Sequence, residues 1–362
     1  LLSLPAATTP EAPVDFEQAR TIMERGRRGE VVSVEERAYV ERAKQAKQKQ
    51  PAGKGSPGAP PPKWTQHLTP LTELGSATYK GEDGGLYGGG RNTPPAAHLA
   101  AATQEGAKIR PLDATGHPAG DGKIGLLSVG MSNTTQEFSR FMKDAAGESK
   151  KSPRVVLVDG AQGGQTGARW ADASTPLWAE LDRRVAAAGL TPAQIQVAWM
   201  KQAEAGPARL GEFPKHTDTL RENLVTALGH LRQRFPNLRI VYLSSRIFAG
   251  HASSALNPEP YAYESAFAVR HLIQDQIAGR AELNYDSARG PLTSPLLLWG
   301  PYLWADGNNP RGPGAVTYTP ADFAPDGTHP SDSGRAKVAR ALLDFFKTDP
   351  TAKPWFLATP AH

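Results

Sequence analysis

The stretch IGLLSVGMSNTTQEFSRFMK, residues 124–143, changes its kind of order partway through. Residues 124–129 form a short aliphatic run, of a length that suits a buried strand. From Thr134 onward the apolar side chains Phe138, Phe141 and Met142 recur at helical spacing. Between the two lies GMSN, Gly130 to Asn133. A strand running through a tight turn into an amphipathic helix is the opening of a β-α-β unit.

The same alternation continues down the chain. The runs VVLV (155–158), IQVAW (195–199), RIVYL (239–243) and PLLLW (295–299) are separated by helical patterns at 176–188, 217–235, 261–277 and 333–346. Near-continuous apolar strands alternating with helices specify a sheet covered on both faces. The predicted fold is therefore α/β, a three-layer α/β/α sandwich with a central parallel five-stranded sheet of flavodoxin-like type. In such folds ligands lie beyond the carboxyl ends of the strands.

The chain has 36 Gly and 32 Pro, unevenly placed. Residues 1–50 read as a leader and a helical hairpin, with Phe16, Ala19, Ile22 and Met23 on one apolar face and a capping box from Ser33 to Glu36. PAGKGSPGAPPP (51–62) holds neither helix nor ladder and reads as a linker. Residues 63–120 are irregular. Within them YKGEDGGLYGGGRNTPP (79–95), carrying Tyr79, Tyr87 and Asn92, is either surface or part of a binding site. The main α/β domain is expected at 121–350 and a tail at 351–362.

Composition narrows the chemistry. With 41 Lys+Arg against 36 Asp+Glu the net charge is only +5, and the basic stretch 37–49 is diluted by Glu, Gln and Ala, as on a solvated helix face. No nucleic-acid partner is expected. There is no cysteine, which removes disulfides, thiolate nucleophiles and Cys-ligated metals. No apolar run approaches the ~20 residues of a membrane-spanning helix. LLSLPAATTPEAP at the start resembles the end of a secretory h-region, so a secreted or periplasmic location is expected.

The residues that follow the strands carry the functional signal. Ser132 stands between the first strand and its helix, where free backbone N–H groups and the positive helix end converge, so its hydroxyl can attack while amides receive an oxyanion. After the second strand, DGAQGGQTG (159–167) brings Gly163 and Gly164, whose backbones can approach a ligand closely. It lacks the G-K-[ST] ending of a phosphate loop. The third strand ends in AWMKQAEAG (198–206), which brings Lys201 and Gln202 to the same edge. APDGTHPSDSG (324–334) sets Asp326 and His329 three apart before the last helix, so that the carboxylate can orient the imidazole toward the serine. A metal use of Asp326, His329, Asp332 and Asp306 would need more convergent ligands, and none is expected. The other histidines (67, 98, 117, 216, 230, 251, 271 and 362) lack an acidic partner at short spacing.

Taken in this order, the four blocks resemble the SGNH/GDSL hydrolase superfamily over residues 121–348. LLSVGMSN is similar to the G-Q-S-N block of sialate O-acetylesterase-like carbohydrate esterases, and AQGGQT to their Gly-Gly-Thr/Ser block. The resemblance implies Ser132 as nucleophile, His329 as general base and then acid, and Asp326 as its orienting carboxylate. It further implies an oxyanion hole from the N–H of Ser132, an N–H of Gly163 or Gly164, and a side-chain amide. The third block departs from the family's W-x-Q-G-E. One inserted residue aligns Gln202 with the amide donor, and Lys201 competes for the place.

The expected activity is carboxylic ester hydrolysis through an acyl-enzyme on Ser132, without a cofactor, on an O-acetyl carbohydrate or another small ester. Arg246, Glu264, Tyr302 and Trp304 are candidate substrate-binding residues. One alternative is a short-chain aryl or alkyl esterase or lipase-like enzyme of the same fold. Another is a noncatalytic glycan- or surface-binding protein on this scaffold, with the N-terminal hairpin docking a partner.

Overall fold

A computed structural model describes residues 22–23, 32–49, 64, 66–312 and 314–358, and divides the chain into two units, Leu1–Ala59 and Pro60–His362. In the first unit the helix α1 (Val34–Lys49) starts at the expected capping box. The Ser33 amide donates to Glu36 Oε2 at 2.9 Å, and the Glu36 amide to Ser33 Oγ at 3.1 Å. The leader, most of the first hairpin helix and the 51–62 linker lie outside the described residues.

The second unit opens with a helix that the sequence pattern does not reveal, α2 (Ala96–Ala107). It turns His98, Ala102 and Gly106 inward, so it presents no apolar stripe to detect. His98 Nε2 instead contacts the Leu297 carbonyl oxygen at 2.8 Å. The glycine-rich loop 79–95 is packed down: Trp299 Nε1 donates to the Leu86 carbonyl at 2.7 Å, and Gln274 Nε2 to that of Tyr87 at 3.1 Å.

The regular part then follows the predicted alternation. In chain order it runs β1 (Ile124–Gly130), α3 (Ser132–Ala146), β2 (Val155–Val158), α4 (Gly167–Ala171), α5 (Leu177–Ala187), β3 (Ile195–Lys201), α6 (Lys215–Arg234), β4 (Ile240–Ser244), α7 (Tyr261–Ala278), β5 (Leu296–Trp299), α8 (Asp332–Thr348) and α9 (Lys353–Phe356). The five strands form one sheet in the order β2-β1-β3-β4-β5, and every pairing is parallel. All residues of β1 and β3 are buried, as a sheet covered on both faces requires.

On one face α3 packs on α8. There Phe138 stacks over Trp199 with ring centroids 5.9 Å apart, and Phe141 meets Phe346 at 5.6 Å. On the other face α6 packs between α4 and α7. The segment read as a C-terminal tail belongs to this core through residue 358. Trp355 and Phe356 are buried, and the Ser152 amide donates to the Phe356 carbonyl at 2.8 Å.

The last row of the sheet sets the position of the loops that carry polar side chains. Gly130 of β1 stands beside Lys201 of β3, and Lys201 beside Ser244 of β4. The residues just beyond this row form the carboxyl edge.

Candidate active site

Ser132 is the first residue of α3, preceded by Met131 in extended conformation. The turn works because position 130 is glycine: a Cβ there would come within 2.4 Å of the Lys201 carbonyl oxygen and 2.3 Å of Thr134 Oγ1. Thr134 Oγ1 donates to that same carbonyl at 2.7 Å, fastening the first turn of α3 to the end of β3. The serine is thereby held at a helix start, where the first amides have no partner within the helix.

The histidine loop comes from far along the chain. Ser132 Oγ lies 2.8 Å from His329 Nε2, and His329 Nδ1 lies 2.5 Å from Asp326 Oδ2. The other carboxylate oxygen, Asp326 Oδ1, accepts from the amides of Thr328 and His329, each at 2.9 Å. Burial pushes the Asp326 carboxyl up, but the hydrogen bonds from His329 and Thr328 outweigh it and hold it below the usual carboxylate range. Asn133 Nδ2 donates to the Thr328 carbonyl at 2.9 Å, joining the helix start to the loop. Ser132 and His329 remain half-buried, so the hydroxyl and the imidazole can be reached.

The glycine pair lies against the serine. A Cβ on Gly163 would sit 3.9 Å from Ser132 Cβ, and Gly164 has φ +76°, a left-handed turn conformation suited to glycine. Among the described residues, nothing accepts from the amides of Ser132, Gly163 or Gly164. Gln202 is the residue after Lys201, hence level with Met131 at the edge. Its Nε2 makes only a long contact of 3.4 Å to the Gln165 carbonyl, and its Oε1 has no partner among the described residues.

Lys201 has another use. It is fully buried and forms an ion pair with Glu137 of α3, engaging both carboxylate oxygens. Burial pushes its ammonium down to about 8. Of the two competitors for the amide position, Lys201 is drawn into the core by Glu137, whereas Gln202 Nε2 makes only that long contact.

The four candidate substrate contacts are interior residues. Glu264 accepts from Tyr79 Oη at 2.7 Å and Lys80 Nζ at 2.8 Å, and lies 2.6 Å from His216 Nε2. The Tyr302 hydroxyl accepts from the Leu71 amide at 3.1 Å, and Trp304 Nε1 donates to Glu259 at 2.8 Å. Arg246 is 1% exposed. Glu264, Tyr302 and Trp304 are engaged in contacts within the fold, where aromatic residues supply large buried area, and all four side chains are buried and line no open wall.

Sequence spacing also missed partners that only the fold brings together. His216 finds Glu264, His271 finds Glu82 at 3.2 Å, and His67 finds Asp306 at 3.0 Å. Asp159, after β2, accepts hydroxyl hydrogen bonds from Ser128 at 2.6 Å, from Ser139 at 3.1 Å and from Thr135. It braces the first turns of α3, and burial raises its carboxyl pKa. The only hint in the sequence is a polar residue at a strand end.

No family model matches the chain, and no curated protein matches it. Among solved structures it is similar to a candidate acylhydrolase from Bacteroides fragilis, at 15% identity over 70% of this chain and 96% of that one, with a TM-score of 0.36. A lipase from a goat rumen metagenome gives 15% identity, 61% and 97% coverage and a TM-score of 0.34. A salicylyl-acyltransferase from a tetracycline biosynthetic pathway gives 13% identity, 65% and 58% coverage and a TM-score of 0.31. Likenesses this distant carry no chemistry of their own. The chemistry has to come from the side-chain geometry of the site itself.

Proposed function

We propose that this chain is a serine ester hydrolase, with Ser132 as nucleophile, His329 as general base and then acid, and Asp326 as the group that orients His329. The observation that carries this reading is the continuous line of contacts from Ser132 Oγ to His329 Nε2 and from His329 Nδ1 to Asp326 Oδ2. His329 Nε2 takes the hydroxyl proton as Ser132 Oγ adds to the ester carbonyl. The oxyanion is received by the amides of Ser132 and of Gly163 or Gly164, with Gln202 Nε2 as a third donor. His329 returns the proton to the departing alcohol, leaving an acyl-enzyme. A water deprotonated by His329 then releases the acid. Every step uses side chains and backbone of this chain.

Within that class we propose an O-acetyl ester, of a carbohydrate, as substrate. The support is the likeness of GMSN and AQGGQT to the blocks of carbohydrate esterases. Tyr302 and Trp304 are buried, so their rings add no support for a sugar substrate. The testing experiment is a panel of 4-nitrophenyl acetate, butyrate and octanoate beside peracetylated monosaccharides. Fastest turnover on acetyl esters, with acetate released from the sugars, is the expected outcome. A rate that climbs with acyl length would favour a lipase-like enzyme, and turnover of no ester would favour a noncatalytic binding role.

A further inference from the structure

Arg246 lies two residues beyond β4, is 1% exposed, and its Nε and Nη2 have no acceptor among the described residues. A guanidinium withdrawn from water without a hydrogen-bonded counter-charge is costly. The surrounding carboxylates all hydrogen-bond to other groups, Glu259 to neutral donors. Both oxygens of Glu137 meet Lys201 Nζ. Those of Glu259 accept from Trp304 Nε1, the Ala249 amide and the Tyr263 amide, and those of Asp326 accept from the histidine loop. These three acids surround Arg246 electrostatically without hydrogen-bonding to it.

Position gives this charge a target. In the row Gly130, Lys201, Ser244, the Lys201 ammonium reaches Glu137 on α3, and Ser244 Oγ accepts from Trp199, which stacks on Phe138 of α3. The row therefore faces α3. Ser132 and Arg246 each follow this row by two residues, after β1 and β4, whose ends at Gly130 and Ser244 stand two strand spacings or about 10 Å apart. During acyl transfer Asp326 balances protonated His329, and Lys201 balances Glu137. The charge developing on the substrate oxygen has no such partner.

We propose that Arg246, whose buried guanidinium leaves Nε and Nη2 without a hydrogen-bond acceptor, reinforces the amides at the start of α3 and stabilises the oxyanion formed at Ser132. This rests on the serine hydrolase reading. It concerns the transition state alone, so it predicts an effect on kcat and none on the binding of a neutral ester.

The test compares wild type with Arg246→Lys and Arg246→Gln, using turnover of 4-nitrophenyl acetate and inhibition by ethylboronic acid, whose serine adduct is a tetrahedral anion. At about 10 Å and an effective dielectric constant of about 20, loss of one charge corresponds to about tenfold. Arg246→Gln should lose about that factor in kcat and in boronate affinity with KM nearly unchanged, and Arg246→Lys should keep most of both. If a buried glutamine amide prevents folding, Arg246→Met supplies the neutral variant with no polar atom left unpaired. Equal losses in the lysine and neutral variants, or a change in KM alone, would overturn the inference while leaving the hydrolase reading standing. A wild-type chain that neither hydrolyses the ester nor binds the boronate would overturn both.

Discussion

Asn133 Nδ2 donates to the carbonyl oxygen of Thr328 at 2.9 Å, across 195 residues of chain, and the contact is buried. It ties the residue after the serine to the residue before the histidine, so the Ser132–His329 distance is set by a neighbour of each. Asn133→Ala removes the tie and leaves a buried carbonyl short of a donor. We expect a loss of about 1–3 kcal/mol in stability and a fall in kcat larger than any change in KM, measured by denaturant unfolding and 4-nitrophenyl acetate kinetics.

Two aspartates should give opposite pH signatures. The folded-state pKa of Asp326 is depressed, so its contribution to stability is present above its unfolded pKa, about 3.9, and is lost as the pH falls through the lower folded value. Burial raises that of Asp159, so its contribution is fully present below the unfolded pKa and is lost as the pH rises through the raised folded value. The difference in Tm between wild type and Asp326→Asn should shrink toward acid. That between wild type and Asp159→Asn should shrink toward neutral pH. Thermal melts from about pH 3 to about pH 8, spanning the usual carboxylate range, read both slopes.

Lys201 and Glu137 are both fully buried and spend their charges on each other. Lys201→Met strands a carboxylate in the core and should cost about 3–5 kcal/mol. The double variant Lys201→Met with Glu137→Leu should recover most of that loss. Chemical unfolding of wild type and both variants tests this, and equal stability of the single and double variants would contradict it.

Gln202 supplies the one side-chain amide proposed for the oxyanion. Gln202→Leu, of similar bulk, should lower kcat about 100-fold to 1000-fold with little change in KM. A drop confined to KM would move Gln202 from the transition state to substrate binding.

The sheet was legible because short aliphatic runs punctuated by amphipathic helices have few other stable uses in a chain this size, and the five strands agree with those runs to within two residues. That Ser132, Asp326 and His329 would meet was legible because each sits at a strand end or just before a helix, where local chemistry constrains residue type. What stayed hidden depends on contacts between distant segments. Asn133 reads as an ordinary helix-start residue until Thr328 arrives beside it. Lys201 reads as a candidate donor at the sheet edge until Glu137 meets it in the core. Tyr302, Trp304 and Glu264 read as substrate contacts because aromatic and acidic residues near a sheet edge look alike in sequence whether they face solvent or are buried against the fold. Helix α2 escaped because it packs through alanine, glycine and histidine, leaving no apolar period to count.

The most direct measurement is covalent labelling with a fluorophosphonate, followed by mass spectrometry of the intact chain and of its peptides. The account predicts one adduct per chain, on Ser132, absent from Ser132→Ala and strongly slowed in His329→Ala. An adduct on another residue, or labelling of Ser132 at an unchanged rate without His329, would contradict it.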